Sequence, residues 1–407
     1  MILSIAWRNV WRNKLRSLVI MLAVMFGLIG GIFSVALMNG MMEQMVTSTI
    51  QTELANIQIH HPKYLVNYEL KYSIGKTNSI LEEVGGMEQV KAASPRIKGQ
   101  AMASTAATGT GVMIVGIDPE KEKKVTSIHE MLIEGSYFNT EMRGQPIVVG
   151  QKLAHKLNAK INSKVVITIQ DLEGVITYGA FRIVGIFETH DANFDESNVF
   201  VRNSDLAGLI GDDPQKATEI LIKLNKNEDS EAVAESLSEQ YPNLKVQTWQ
   251  ELRPEFEFFN SWMQQMLYLF LVIILLGLAF GIVNAMLMAV MERVKEIGML
   301  MAVGMNRRRV FGMIMLETIF LSITGGIIGI LGGWALVAYF SEAGIDLSTV
   351  AEGLSEVGYA STAYPSIGTS YYFIVAGMVI ITAIISSVYP ARKALKLRPA
   401  EAIREDI

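Results

Sequence analysis

The sequence of 407 residues contains no cysteine, which excludes disulfide bonds, thiolate metal sites and cysteine nucleophiles. Histidine is scarce, and the adjacent pair His60 and His61 lacks the i, i+4 helical spacing that brings two imidazoles to one metal ion. The sequence also lacks a G-x-x-x-x-G-K-[ST] phosphate loop, an H-E-x-x-H zinc motif and a G-x-S-x-G nucleophile motif. We therefore expect no enzymatic site, no metal and no bound cofactor in this chain.

Half of the residues are hydrophobic and the mean hydropathy is +0.31, and long apolar segments lack any charge except Glu317. The four segments are residues 18–38, 266–291, 311–340 and 371–390. Each is long enough, at 1.5 Å per residue, to cross a hydrocarbon core of about 30 Å as a helix. No small-x-small cleavage site follows the first segment, which disfavours a removed signal peptide. We therefore predict an α-helical membrane protein with four transmembrane helices.

Lysine and arginine are absent from residues 341–370 but abundant in the other short segments beside the spans. Those basic residues are Arg8, Arg12, Lys14, Arg16, Arg293, Lys295, Arg307, Arg308, Arg309, Arg392, Lys393, Lys396, Arg398 and Arg404. Because translocated short loops are poor in basic residues, both termini and the segment 292–310 are predicted to be cytoplasmic. Residues 39–265 and 341–370 are then periplasmic, for a protein of the bacterial inner membrane. The basic flanks indicate membrane lipid as a partner and not nucleic acid.

Residues 1–17 are predicted to form a separate element ahead of the first span. Arg8, Arg12 and Arg16 recur at i, i+4 and i+8, so they share one helical face, while Ala6 and Val10 lie largely elsewhere. This spacing favours an amphipathic helix that lies in the cytoplasmic interface of the membrane. A charged flank that serves only to fix the topology is the alternative interpretation.

The large segment outside the membrane has the mixed composition of a folded domain, and its patterns predict an α+β fold. The order strand, helix, strand occurs twice, at 55–60, 78–90 and 111–117 and again at 219–224, 230–240 and 244–248. The intervening part is rich in predicted strands, at 147–150, 164–170, 179–187 and 199–201, with a helix at 151–157. We expect the two outer units to pair in one subdomain and the middle part to form an inserted, mostly β subdomain.

Small residues recur at helical spacing inside two of the spans. They are Gly277 and Gly281 in the second span and Gly325, Gly329 and Gly333 in the third. Glycine at this spacing lets helix backbones approach closely, so we predict that these residues pack against other helices.

Glu317 is the one acidic residue within the four apolar segments, about 9 Å inside the third span at 1.5 Å per residue. A carboxylate at that depth is costly and indicates a possible functional site. The alternative is a structural pair with the cluster Arg307 to Arg309 near the cytoplasmic interface. The sequence favours the structural role.

The cytoplasmic segment 292–304 has the pattern of a short amphipathic helix. Ile297, Leu300 and Met301 recur at i, i+3 and i+4 opposite a charged side, and Gly304 is a typical helix end. A helix of this kind suits docking into a groove on a soluble partner. The residues predicted to make or support that contact are Glu292, Arg293, Glu296, Ile297, Gly298, Leu300 and Gly304.

Two motifs resemble the signatures of FtsX-like permease domains of ABC transporters of the MacB and LolC/LolE kind. They are E-R-x-x-E-I-G-x-L-x-A-x-G at 292–304 and Y-P-A-R-K-A-x-x-x-x-P-A-E-A-I-R at 389–404. The outer domain also resembles that of the family, through V-G-I-D-P at 115–119, I-V-V-G at 147–150 and V-G-I-F at 184–187, with Asp195 beyond. The resemblance extends over most of the chain.

The resemblance implies a permease subunit that works by mechanotransmission with separate ABC ATPase subunits, which bind ATP and magnesium, and with a second permease chain. Segment 292–310 is then a coupling helix, residues 39–120 and 215–255 are porter-like, and residues 121–214 are an inserted sabre-like subdomain. LolC/LolE members imply lipoprotein cargo that is released from the inner membrane to a periplasmic carrier. MacB-like export of a peptide, drug or lipid, and FtsX-like regulation of a periplasmic hydrolase, are the alternatives.

Overall fold

The computed structural model describes residues 2–12, 14–138 and 144–395. Contacts divide the chain into two compact units. The helical unit contains the described residues up to 41, residues 260–346 and the described residues from 362 onward. The sheet unit contains the described residues of 42–259 together with 347–361.

The helices of the described residues are α1 Ile2–Arg12, α2 Lys14–Thr49, α3 Tyr64–Asn67, α4 Thr77–Gly85, α5 Pro119–Val125, α6 Gln151–Lys156, α7 Ala192–Ser197, α8 Asn203–Ile210, α9 Ser230–Gln240, α10 Trp249–Leu252, α11 Pro254–Glu292, α12 Val294–Ala302, α13 Arg307–Ala343, α14 Ala351–Ser355 and α15 Thr369–Leu395. The strands are β1 Ile57–His60, β2 Val90–Ser104, β3 Gly109–Ile117, β4 Leu132–Gly135, β5 Gln145–Gly150, β6 Lys164–Gln170, β7 Ile176–Phe187, β8 Asn198–Arg202, β9 Glu219–Leu224, β10 Lys245–Thr248, β11 Ile345–Asp346 and β12 Thr362–Ala363. A π-helical turn, Ile50–Leu54, continues α2.

Four helices of the described residues are long and apolar enough to cross a membrane, and they contain the four predicted spans. They are Ser17–Leu54, Pro254–Glu292, Arg307–Ala343 and Thr369–Leu395. The first two have 38 and 39 residues. At 1.5 Å per residue they measure about 57 to 59 Å, nearly twice the thickness of a hydrocarbon core. Apolarity identifies only the part of a helix that suits lipid, so the pattern does not predict the polar ends of these two helices.

The basic residues predicted after the fourth span are only partly described. Arg392 and Lys393 lie exposed in the last turn of α15. Lys396, Arg398 and Arg404 of the predicted tail 391–407 lie outside the described residues.

Glycines of α13 bring this helix close to α2 in the helical unit. A Cβ on Gly325 would stand 2.9 Å from the carbonyl oxygen of Met21, and one on Gly329 would stand 3.0 Å from the Cβ of Leu28. Gly333 faces Ile32 in the same way, at 3.1 Å. Larger side chains at these positions would force the two backbones apart.

The second span does not behave as predicted within this chain. No heavy atom of a described neighbour lies within 4 Å of where a Cβ on Gly277 or Gly281 would stand, so neither glycine marks a close approach. The glycines of α11 and α13 have the same helical spacing. This face of α11 meets no other described helix, and the spacing of glycines does not predict which faces have a neighbour.

α1 is shorter than the predicted element 1–17, because it ends at Arg12 and α2 begins at Lys14. Ala6 and Val10 are fully buried in the helical unit. The indole of Trp7 meets the ring of Phe320 on α13 edge to face, with centroids 5.6 Å apart. α1 therefore packs on α13 through its small apolar face and leaves Arg12 exposed.

Ten strands form the sheet in the order β10-β1-β9-β2-β3-β8-β5-β7-β4, with β6 paired to β2 and β7. Most pairs are antiparallel, whereas β3 with β8 and β5 with β7 are parallel. β1 lies between β9 and β10, so strands of the two predicted strand-helix-strand units do join. β3, which was predicted as the third element of the first unit, instead lies beyond β2 and pairs with it.

The longest strand, β2, was not predicted, and the helix expected at 78–90 ends at Gly85. Pro95 and Gly99 are both unusual inside a strand, and basic residues interrupt the apolar alternation, so the pattern of β2 resembles a loop. The strand is central because its first half pairs with β9 and its second half with β6. By contrast, β6, β9 and α9 have the bounds that the alternation and helical periodicity predict.

The sheet unit contains separate hydrophobic cores. One core joins β1, α4, β9 and α9 through residues such as Ile57, Ile80, Ile220 and Leu237. The other cores contain the second half of β2 and all of β3 together with the strands from β5 to β8. β2 and β3, which belong to the predicted porter-like part 39–120, thus share these cores with strands of the predicted insertion.

The segment 341–370 has its own secondary structure. β11 and β12 pair antiparallel in the helical unit, with Ile345 opposite Ala363. Residues 347–361 belong to the sheet unit, where the side-chain amide of Asn193 donates a hydrogen bond to the carbonyl oxygen of Glu356 at 3.0 Å.

Candidate functional site

The helix predicted at 292–304 is present as α12, which a single residue, Arg293, separates from α11. The break gives Arg293 a φ of −111° and a ψ of 20°, after which the amide of Ile297 donates to its carbonyl at 2.9 Å. At the other end Gly304 has a φ of +99°, a conformation that L side chains rarely adopt. The sequence therefore fixes both ends of α12, with a helix break before it and a left-handed glycine after it.

One side of α12 is buried and the other is open. Ile297 and Gly298 are buried in the helical unit, and Leu300 is half-buried. Met299 and Val303 are exposed, with 54% and 89% of their surface accessible. An apolar face that the described chain leaves uncovered is a suitable contact surface for another protein.

A chain of ion pairs connects α12 to α1 and α13. Arg12 donates to a carboxylate oxygen of Glu296 at 2.7 Å, and Nε of Arg293 donates to the same carboxylate at 3.2 Å. Nη1 of Arg293 in turn donates to both oxygens of Glu317 at 3.1 and 3.3 Å. We call these four residues the ion-pair chain.

Burial increases steadily along the ion-pair chain. The side chains of Arg12 and Glu296 are 52% and 46% exposed, whereas those of Arg293 and Glu317 are 11% and 3% exposed. The hydrogen bond from Arg12 lowers the pKa of Glu296 below its usual value, and it outweighs the opposing effect of partial burial. The outer pair is therefore solvated and adjustable, while the inner pair is held in a low-dielectric environment.

Glu317 does not pair with Arg307 to Arg309 in the way that the sequence suggested. Those arginines lie in the first turn of the same helix, roughly 12 to 15 Å away along its axis at 1.5 Å per residue. Arg293 is nearer because the break between α11 and α12 directs its side chain toward α13. The sequence suggested a partner within the helix that contains Glu317, whereas the observed partner, Arg293, precedes that helix.

A cavity of about 510 Å³ adjoins the ion-pair chain in the helical unit. All four charged residues line it, together with apolar side chains that include Leu300. Met299 and Val303 line it as well, so the cavity lies along the exposed side of α12. The buried Ile297 and Gly298 and the ion pairs together hold α12 against the helical unit.

The predicted contact residues thus take different roles. Glu292 and Gly304 mark the two ends, Ile297 and Gly298 anchor the inner face, and Leu300 lines the cavity. Arg12 was not predicted as part of this site. Its position on the i, i+4 basic face of α1 was visible in the sequence, but its acidic partner lies 284 residues further on.

Metal binding finds no support in the part of the chain that the structure describes. No three histidine, aspartate or glutamate side chains come together there at a distance that suits a shared ion. His60 is fully buried in β1, and neither of its ring nitrogens has a hydrogen-bond partner among the described residues. Burial lowers its pKa to about 3, so it is a neutral core residue at physiological pH.

Comparison with known proteins gives two family matches. Residues 268–399 match the FtsX-like permease C-terminal family, and residues 17–240 match the MacB-like periplasmic core domain family. Together they include α12, three of the four residues of the ion-pair chain and most of the sheet unit.

Several curated proteins are similar to the chain. It is 24% identical over 388 residues to the lipoprotein-releasing system transmembrane protein LolC of Neisseria meningitidis serogroup B, which covers 91% of this chain and 89% of the relative. It is 26% identical over 306 residues to the ABC transporter permease YtrF of Bacillus subtilis, covering 72% and 69%. It is 36% identical over 127 residues to the macrolide export ATP-binding/permease protein MacB of Chlorobium luteolum, covering 30% and 16%.

Among solved structures, the periplasmic region of MacB from Actinobacillus actinomycetemcomitans aligns with 53% of this chain and 98% of its own length. The TM-score is 0.36 and the sequence identity is 11%.

Proposed function

Because the chain belongs to the ABC transporter permeases that combine a MacB-like periplasmic core domain with an FtsX-like C-terminal domain, we propose that it releases lipoproteins from the bacterial inner membrane. The energy comes from ATP hydrolysis on separate ATPase subunits. The outer domain then acts on the cargo, which passes to a periplasmic carrier. Two copies of the chain, or this chain and a second permease, assemble with two ATPases.

The similarity to LolC supports lipoprotein release over other transport. It extends over 91% of this chain and 89% of LolC, whereas the MacB relative quoted above matches only 30% of this chain. A match over nearly the full length includes the spans, the outer domain and α12 together.

The observation that carries the proposed ATPase contact is an open apolar face of α12 beside the outer ion pair. Met299 and Val303 offer an open apolar face, and Glu296 on the same face ties α12 through the ion-pair chain to α1 and α13. A groove on an ATPase can bind the open face, and the ion pairs then pass its movement to the helices. In this proposal both termini and α12 lie in the cytoplasm, as the distribution of basic residues predicts.

Export of the MacB kind is the second candidate. The match to MacB of Chlorobium luteolum is shorter but has the higher identity, 36% over 127 residues. An exporter of this kind would use the same ATPase contact and differ only in cargo.

Reconstitution separates the two candidates. The permease is purified with an ABC ATPase that binds it, inserted into liposomes with a fluorescent lipoprotein, and supplied with ATP and a periplasmic carrier. We expect ATP-dependent appearance of the lipoprotein in the soluble fraction with the carrier. Glu296→Lys provides the uncoupled variant and Lys295→Glu, an exposed charge change on the same helix, provides the matched control. Stimulation of ATP hydrolysis by a macrolide or peptide, without lipoprotein release, would favour export instead.

A further inference from the structure

The sheet unit contains a cluster of six charged side chains at the point where the ends of α2 and α11 meet the sheet. We call it the junction cluster, and its members are Glu53, Arg96, Lys98, Glu122, Glu219 and Arg253. Three are acidic and three are basic, and Arg253 also pairs with the exposed Glu255 at 3.2 Å. All six belong to the sheet unit.

Arg96 on β2 is the centre of the junction cluster. Its side chain is 2% exposed and that of Glu122 on α5 is fully buried. Nη2 of Arg96 donates to Glu122 at 2.5 Å and Nε donates to the same oxygen at 3.2 Å, while Glu219 on β9 lies 3.6 Å from Nη1. Arg96 therefore joins two neighbouring strands to the helix that covers them.

Glu122 is held ionised by several donors. Burial tends to raise its pKa, but the charge and hydrogen bonds of Arg96 and the hydroxyls of Ser94 and Thr126, each at 2.8 Å, keep the pKa below its usual value. Such complete pairing is what makes a buried charge tolerable. The inner half of the junction cluster is thus a rigid part of the fold.

The outer half reaches the two long helices. Nη1 of Arg96 donates to the backbone carbonyl of Glu53, in the π-helical turn that ends α2, at 2.9 Å. The carboxylate of Glu53 accepts a hydrogen bond from Arg253 at 2.9 Å and lies 3.7 Å from the ammonium of Lys98. Arg253 immediately precedes Pro254, where α11 begins. One glutamate therefore links the end of α2, the start of α11 and β2.

The end of α2 is also fixed through its backbone. The last carbonyls of a helix lack partners within it. Here the carbonyl of Gln51 accepts from the amide of Ser127 at 2.9 Å, and that of Leu54 accepts from the side chain of Gln58 at 2.9 Å. The next residue, Ala55, has a φ of +53°, which is unusual for a residue other than glycine and persists only where its surroundings enforce it.

We propose that the junction cluster is the mechanical joint through which α2 and α11 move the sheet, with Glu53, Arg96 and Arg253 as positioning residues for the transport cycle. This inference rests on the proposed function, since it requires that ATP hydrolysis displace these helices. A displacement of either helix end is passed through Glu53 to β2, and β2 pairs with three other strands. The sheet is then connected to the helix ends by ion pairs as well as by the polypeptide chain, and it moves with them.

The two halves of the junction cluster make the proposal testable without unfolding the protein. Arg253 is 40% exposed and contacts the cluster from outside, so its removal leaves the buried pair of Arg96 and Glu122 intact. Arg253→Gln should therefore cut the link between the two helices and keep the fold. Arg253→Lys retains the charge, and Arg182→Gln makes the same change at an exposed position on β7 as the matched control.

The experiment measures hydrogen–deuterium exchange in the full complex with its ATPase in lipid nanodiscs, with and without ATP and vanadate. In the unsubstituted chain we expect nucleotide to change the exchange of both α12 and β2. In Arg253→Gln the response of α12 should remain, while that of β2 falls by at least about fivefold, the lower end of ordinary coupling between sites. Glu53→Gln should act in the same way, and Arg253→Lys and Arg182→Gln should respond normally.

One result would contradict the proposed function, and a different result would contradict the role of the junction cluster. If neither α12 nor β2 of the unsubstituted chain responds to nucleotide, the proposed function is wrong. If α12 responds but β2 does not, or if β2 responds fully in both Arg253→Gln and Glu53→Gln, the junction cluster is not the joint.

Discussion

Removal of the Glu317 carboxylate is the most informative change to the ion-pair chain. Arg293 is 11% exposed and donates to both oxygens of Glu317, so the loss of this partner leaves a nearly buried cation with Glu296 as its remaining acidic partner among the described residues. Breaking a buried ion pair ordinarily costs about 3–5 kcal/mol. Because Glu296 at 3.2 Å still compensates part of the charge, we expect Glu317→Gln to reduce the free energy of unfolding by roughly 2–3 kcal/mol. Glu317→Leu, which keeps no acceptor, should cost more.

A double-mutant cycle in bicelles separates this interaction from general damage. The free energy of unfolding is measured by steric trapping for the unsubstituted chain, Glu317→Gln, Arg293→Gln and the double variant. We expect a coupling energy of about 1.5–3 kcal/mol, because the double variant removes both charges together. Glu342→Gln, an exposed change at the far end of α13, is the matched control and should have little effect. A coupling energy below about 0.5 kcal/mol would refute the assignment of this pair as the anchor of α12.

Three further changes follow from the structure. Gly329→Leu should destabilise the helical unit by about 1–3 kcal/mol, because a side chain there meets the backbone of α2. Gly277→Leu faces open space and should be tolerated, so equal effects of the two changes on the free energy of unfolding would contradict the packing assignment. Glu296→Lys places a cation between two arginines, so ATP hydrolysis should continue while cargo release is lost, and normal release would count against the ion-pair chain. Burial lowers the pKa of His60 from 6.5 to about 3, so between these pH values the unfolded state binds a proton that the folded state does not. The free energy of unfolding therefore decreases as the pH falls below 6.5, by at most about 1.4 kcal/mol per pH unit. His60→Phe should reduce this slope in pH-dependent denaturation, and an unchanged slope would show that another group causes it.

The parts of the fold that the sequence predicts are those in which local pattern and final environment agree. The spans are predictable because apolar composition alone decides what enters lipid. β6 alternates apolar and polar residues along its whole length and is found at its predicted bounds. β2 was missed because its charged residue Arg96 is buried, and such burial depends on partners far away in the sequence.

The ion pairs of α12 and of the junction cluster could not be predicted, for the same reason. The motif at 292–304 predicts a contact helix, but the ion pairs of α12 depend on Arg12 and Glu317, which lie on other helices. The junction cluster was invisible because Glu53 and Arg253 are 200 residues apart. Gly277 and Gly329 occur in similar small-residue patterns, yet only Gly329 meets another backbone. A single sequence carries no record of which surfaces meet.

The central claim, that α12 transmits the movement of a separate ATPase, is tested most directly by site-specific photo-crosslinking. A photoreactive phenylalanine analogue replaces Val303, which is 89% exposed, and in a second sample replaces Val357, an exposed valine of the sheet unit at 60%. In membranes that contain the ATPase, illumination should join Val303 to the ATPase in a nucleotide-dependent yield and should join Val357 to no ATPase. A crosslink from position 357, with none from position 303, would contradict the account.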